Sequence, residues 1–262
     1  MIPRAYITQW ANFVPWQTDE QVEQDLVISR ALIEIFSDDF LREHLAFRGG
    51  TALHKLYLNP QARYSEDIDL VQIKPEPIKE TLTHLQKKLE FLGQGSIAQK
   101  RDNNTLKFRF ESEVPPVQPL RLKVEINCRE HFNVLGLKEH PFAVESDWFN
   151  GSTNIFTYEI EELLGTKLRA LYQRRKGRDL YDLYKAYQKD KLDSEKIVEI
   201  YKKYIAFSVD HPPSRKQFIQ NLEAKMQDSE FLGDTVALLR PSERYAPKEA
   251  YDFIIAELVE RI

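Results

Sequence analysis

The chain has 262 residues, 42% of them apolar, with 12 Tyr, 15 Phe and a formal net charge of -4. These values exclude a chain too polar to fold and a protein that coats nucleic acid through its bulk charge. No stretch approaches the roughly 18 consecutive apolar residues of a membrane span, MIPRAYITQW lacks the apolar core of a secretory signal, and the single Cys128 allows no internal disulfide; a cytoplasmic protein with Cys128 in its core is expected.

In TDEQVEQDLVISRALIEIF the residues Val22, Leu26, Val27, Ala31, Leu32 and Ile35 recur at helical spacing, with Thr18 as N-cap and Gln21 as its capping-box partner. Trp10 and Trp16 read as anchors of the preceding arm on the core. AFRGG is a short strand running into a turn, and TALHKLYL a helix ended by Asn59-Pro60. SEDIDLVQI alternates acid and aliphatic residues, the period of a strand, and PEPIKETLTHLQKKLEFLG is a helix closed by glycine. TLKFRFES and LRLKVEINC alternate cleanly around the connection EVPPVQP. After about Asn150 strands are expected to stop, leaving IEELLGTKLRALYQRR, RDLYDLYKAYQ, DSEKIVEIYKKYIAF, SRKQFIQNLEAKMQ and PKEAYDFIIAELVERI as helices. The expected architecture is α/β (α+β): a mixed-sheet lobe over 1–150 and an all-helical lobe over 151–262.

Asp67 and Asp69 lie two apart on a strand, so their carboxylates leave the same face, and two like charges held that close call for a cation. Mg²⁺ suits them, because this hard ion takes one or two carboxylates and fills its shell with phosphate oxygens. Glu125, opposite in parity to Val124 and Ile126, joins the pair as a third metal ligand if its strand is a neighbour. Upstream, Gly49, Gly50 and Thr51 open the helix that carries Lys55; glycines and free helix amides suit a triphosphate, and the Thr51 hydroxyl adds a bond. Ser65 and Glu66 read as turn and solvent residues, and Arg63 as a partner for Asp67 or for substrate.

A Gly-Gly-Thr turn, a helix, a D-x-D strand and a third acid on a later strand resemble the DNA polymerase β-like nucleotidyltransferase superfamily. More closely, FRGGTALHKLY, RYSEDIDLV, LLGTKLRALYQRRKGRDLYDLY and the helical tail resemble the AbiEii/AbiGii toxins, the nucleotidyltransferase halves of bacterial toxin–antitoxin pairs. The spacing from Thr51 to Asp67 is longer than the superfamily's, and Thr51 stands where serine is more usual. The resemblance implies an NTP substrate, an RNA acceptor, often tRNA, and a separately encoded antitoxin.

In GTKLRALYQRRKGRDLYDLY, Gly177 breaks the pattern into two helices, one carrying Lys167 and one starting with Arg178, Asp179 and Asp182. Lys167 reads as a phosphate ligand that stabilises the transition state, a role the resemblance supports, with Arg178 and Asp182 beside the nucleotide. Asp179 orients Lys167 or acts as a base; as a structural residue it would pair with Arg175 or Arg178. Arg169, Arg174, Arg175, Lys176 and Arg178, beside Tyr172, Tyr181 and Tyr184, form a patch suited to RNA or to a solvated helix face. The rival functions are transfer to a protein or small molecule, a kinase, and a non-catalytic RNA- or protein-binding module.

Overall fold

The computed structural model describes residues 2–100 and 102–262, which divide into one compact unit ending at Tyr158 and a second over Glu159–Ile262. The first unit begins with helices α1 (Arg4–Trp10), α2 (Asp19–Phe36) and α3 (Asp39–His44). Thr18 caps α2 by accepting from the Gln21 amide, and Asp38 caps α3 through Leu41. Strand β1 (Leu45–Arg48) leads into α4 (Gly49–Ala52), which continues as a π-helical turn over Leu53–Tyr57 closed by the Leu58 amide on the Leu53 carbonyl. Then follow β2 (Asp67–Gln72), α5 (Lys79–Lys88), β3 (Ser96–Lys100), β4 (Asn103–Glu111), β5 (Pro119–Asn127), β6 (Leu137–Glu145) and β7 (Asn150–Tyr158).

The seven strands form one mixed sheet in the order β3-β4-β5-β2-β1-β7-β6. β1 is antiparallel to β2 and parallel to β7, and β2 is parallel to β5. Ile68, Leu70, Leu106, Phe108, Leu122, Val124 and Ile126 point from these strands into a buried layer. α2 packs against β5, β6 and β7, burying Leu26, Val27, Ala31, Leu32 and Ile35. Each of the Leu, Val and Ile side chains contributes about 1.5–3 kcal/mol through the area it removes from water.

Strands do not stop near Asn150. β6 and β7 form a hairpin that completes the sheet, and the division between units falls after Tyr158. Asp25, inside α2, accepts from Trp10 Nε1 at 3.1 Å, Trp16 Nε1 at 3.0 Å and Gln61 Nε2 at 3.1 Å, and pairs with Lys55 Nζ at 3.0 Å. Burial opposes its charge, but Lys55 and the indole and amide donors outweigh burial and hold the carboxyl below its usual range. The two tryptophans thus pin the N-terminal arm through hydrogen bonds as well as apolar area.

Cys128 is half-buried beyond the end of β5 rather than in the core; its thiol accepts from Asn104, and burial raises its pKa.

The second unit holds α6 (Ile160–Gln173), α7 (Gly177–Lys189), α8 (Ser194–Ser208), α9 (Arg215–Lys225), α10 (Ser229–Gly233) and α11 (Pro247–Glu257). α6 packs on α7 and α8; at Gly165 an added Cβ would lie 2.5 Å from Ile200 Cγ2, so glycine sets the close approach of α6 to α8. Among the described residues no helix is long and apolar enough to cross a membrane.

Candidate active site

The alternation of β2 buries Ile68 and Leu70 and leaves Asp67 and Asp69 half-exposed on the other face. The parallel register sets Asp67 opposite Lys123 and Asp69 opposite Glu125, while on the other side Arg48 of β1 is opposite Asp69. Glu125 has the parity expected from Val124 and Ile126, and its strand is the neighbour of β2. Lys123 Nζ lies 3.5 Å from Asp67 Oδ2 and 3.9 Å from Glu125 Oε1, an ammonium between two acids. Sequence reasoning missed Lys123, although its parity beside Glu125 places it on the same face.

Gly49 follows β1 with φ +79, and an added Cβ there would fall 2.1 Å from Asp69 Oδ2. Glycine is therefore required twice, by the left-handed backbone and by the carboxylate pressed against it. At Gly50 an added Cβ would meet Arg63 Nη2 at 2.4 Å. Arg63 is buried and donates to the Tyr64 carbonyl at 2.9 Å, supporting the glycine turn from beneath.

Thr51 is buried, with its hydroxyl 2.7 Å from Ser65 Oγ and 2.5 Å from the Asp67 carbonyl that accepts from it. That hydroxyl ties the helix start to the first residue of β2, so it positions Asp67 and is not presented to a phosphate. Ser65, read as a turn residue, belongs to this tie. Lys55 is held with Asp25 at side-chain exposures of 4% and 3%, which removes its ammonium from any phosphate role. The sequence placed Lys55 on the right helix but could not show that its partner comes from α2.

The chemistry of the donor set fits a divalent cation in part. Asp67 and Asp69 offer hard carboxylate oxygens from one face, the pair Mg²⁺ uses when substrate phosphates complete its shell. Among the described residues no three His, Cys, Asp or Glu side chains are gathered to hold a metal, and Glu125 stands with Lys123 rather than as a closed third ligand.

In the second unit, Lys167 Nζ pairs with Asp179 Oδ1 at 3.0 Å and Asp182 Oδ2 at 2.7 Å, while Arg174 grips Asp179 through Nε at 2.6 Å and Nη2 at 2.7 Å. Both aspartates have fully buried side chains and Lys167 is 7% exposed. Burial works against the Asp179 charge, yet Lys167 and Arg174 together hold its carboxyl below the usual range. Asp179 therefore pairs with Lys167 and Arg174, not with Arg175 or Arg178. Lys225 donates to the Leu171 and Tyr172 carbonyls at the end of α6, with its pKa pulled down to about 8 by burial.

The expected basic patch is spent on local partners. Arg175 pairs with Asp228 at 3.3 Å, Lys176 with Asp234 at 3.4 Å, Arg178 with Asp234 at 3.8 Å, and Arg169 donates to Ser208 and lies over the Tyr204 ring. Tyr181 is buried, Tyr172 packs on Phe218 and Tyr184 on Phe253. Arg178 is fixed to Asp234 and Asp182 to Lys167.

A glycine turn opening a helix behind a central strand, with acids on the next two strands of the sheet, is the arrangement of a nucleotidyltransferase. The family described as "Nucleotidyl transferase AbiEii toxin, Type IV TA system" matches residues 30–257, and the chain belongs to it. Membership brings an NTP substrate and an antitoxin partner. No curated protein matches the chain. Among solved structures it is similar to MenT4, a nucleotidyltransferase toxin of Mycobacterium tuberculosis H37Rv, with TM-score 0.62, 16% identity, and 99% of this chain and 90% of that one covered. It is also similar to a candidate nucleotidyltransferase of H. pylori, with TM-score 0.56, 18% identity, and coverage of 92% and 94%. At these identities the likeness concerns the fold.

Proposed function

We propose that this toxin transfers a nucleoside monophosphate from an NTP to a hydroxyl of RNA, with tRNA as the acceptor class, and that it acts with Mg²⁺ in the cytoplasm over a nucleotidyltransferase domain that runs to Tyr158 and a helical domain beyond. The observation that carries the reading is the facing of Asp69 and Glu125 on adjacent parallel strands, with Asp67 on the same face and Gly49 closed against Asp69.

Asp67 and Asp69 hold the metal, which when bound neutralises charge developing on the phosphates. Gly49 and Gly50 let the backbone approach the triphosphate. Glu125, released from Lys123 by the incoming acceptor, takes the proton of the attacking hydroxyl. The hydroxyl oxygen bonds to the α-phosphorus, the α–β bridging bond breaks, and pyrophosphate leaves with the bond's electrons. Lys123, already beside Asp67, adds positive charge where negative charge develops. Lys167, held by Asp179 and Asp182, braces the second unit.

The test supplies purified protein with Mg²⁺, cellular RNA and each α-³²P-labelled NTP, beside Asp69→Ala. Label in a discrete RNA band, absent with the variant, supports the reading. Label only from γ-³²P NTP makes the protein a kinase, and no RNA label with labelled protein moves the acceptor to protein.

A further inference from the structure

We propose that the open face of the β4–β5 pair is the binding track for a single-stranded stretch of the RNA acceptor. Lys107, Arg109 and Arg121 hold its phosphates, and Gln24 meets one of its nucleosides. The inference deepens the reading above by giving the acceptor a surface.

The antiparallel register puts Lys107 directly opposite Lys123 and Arg109 directly opposite Arg121. Like charges in facing positions oppose strand pairing, so two successive cationic rungs disfavour the free protein and are relieved by an anion. Arg109 and Arg121 are exposed. Among the described residues no ion pair holds the side chain of Lys107, Arg109 or Arg121, in contrast to the patch on α6 and α7, where every cation has a partner. Same-face positions recur every 6.8 Å or so along a strand. The rungs therefore continue directly from Asp67 and Glu125, with Lys123 common to both.

Past the Arg109–Arg121 rung lies a groove of about 670 Å³, lined in part by Gln24, Tyr64, Glu66, Phe110 and Glu111. Gln24 is 2% exposed; its Nε2 donates to the Arg121 carbonyl at 2.8 Å and the Glu66 carbonyl at 3.5 Å. Its Oε1 is buried without a hydrogen-bond partner. A base N–H or a ribose hydroxyl supplies the missing donor. Glu66 and Glu111 on the same groove favour such a neutral donor over another phosphate. A row of cations leading from the acids to a buried amide acceptor matches a phosphate backbone with one nucleoside turned inward.

The test measures fluorescence anisotropy of labelled oligouridine with the full chain, without nucleotide, across a salt series. For Arg109→Gln/Arg121→Gln the expected result is binding weakened about tenfold or more, with the salt slope reduced by about 0.7 per charge removed. Both side chains are exposed, and an unchanged melting temperature verifies the fold. Unchanged affinity and slope would overturn the track, as would polyglutamate binding as tightly as the RNA. Lost NTP affinity in the variant would also overturn it, by making the rungs part of the nucleotide site. Because the readout needs no NTP, RNA binding that depends on the rungs supports the track even if no nucleotide transfer occurs. Nucleotide transfer to RNA with an acceptor KM indifferent to the rungs would remove the track and leave the activity.

Discussion

Asp69 on β2 and Glu125 on β5 face each other across a parallel strand pair, and the same register brings Lys123 to Asp67. A parallel pairing fixes these neighbours with no flexible side chain in between. Asp69→Asn keeps the size of the side chain and removes the charge that stands opposite Glu125 in the register. The expected result is a fall in NMP incorporation of about a thousandfold, on the scale of losing one strong electrostatic contact to the transition state, with circular dichroism unchanged. Incorporation within a few-fold of wild type would remove Asp69 from the site.

Gly49 carries the φ of +79 and the closest approach to Asp69. Gly49→Ala combines a disfavoured backbone with a methyl directed at the carboxylate, and is expected to cost about 1–2 kcal/mol of stability. It should also lower NMP incorporation more than its stability cost explains, because Asp69 must move. Urea unfolding and the labelling assay on the same preparation separate the two effects.

Lys167 sits between two fully buried aspartates. Removing it leaves Asp182 without this cation and Asp179 with Arg174 alone. Lys167→Ala is therefore expected to lose about 3–5 kcal/mol in urea unfolding, the cost of breaking a buried pair from one side. Arg174→Gln, at a half-exposed position, should lose about 1 kcal/mol because Lys167 still holds Asp179. Wild-type stability in Lys167→Ala would show that the ion pairs do not brace the helices.

Glu23 on α2 is fully buried; its Oε2 accepts from the Glu113 amide at 3.0 Å and its Oε1 has no hydrogen-bond partner. Burial pushes its pKa from 4.5 up to about 7. The folded state then holds a proton that the unfolded state has released, so the stabilisation is complete below pH 4.5 and is lost as pH rises through 7. Glu23→Gln should be more stable than wild type by about 2 kcal/mol at pH 8 and gain little at pH 4.5, read from melting temperatures across that range.

Strand parity made much of this site legible in the sequence. DIDLV and LKVEIN each show which residues face the core, and the Asp67, Asp69 and Glu125 face follows from those patterns. The β6–β7 hairpin was not legible: Pro141 interrupts β6, and proline normally argues against a strand. It is tolerated because β6 is the last strand of the sheet, where one face of hydrogen bonding is free. β3 was hidden for a similar reason, since all five of its residues are exposed at the opposite edge and show no apolar alternation. The fate of Lys55 depended on Asp25, thirty positions earlier, a pairing that no local pattern announces.

The four residues of β1 lie mid-sheet between a strand that follows closely and one that arrives far later, with Phe47 matched to Thr157. During synthesis β2 and β5 can pair once Asn127 has left the ribosome, whereas β1 stays paired on one side only until the segment around Thr157 follows. At usual elongation rates the span between Phe47 and Thr157 takes on the order of ten seconds. The two strands that carry the acids are thus complete in the chain before the strand that covers the far side of β1.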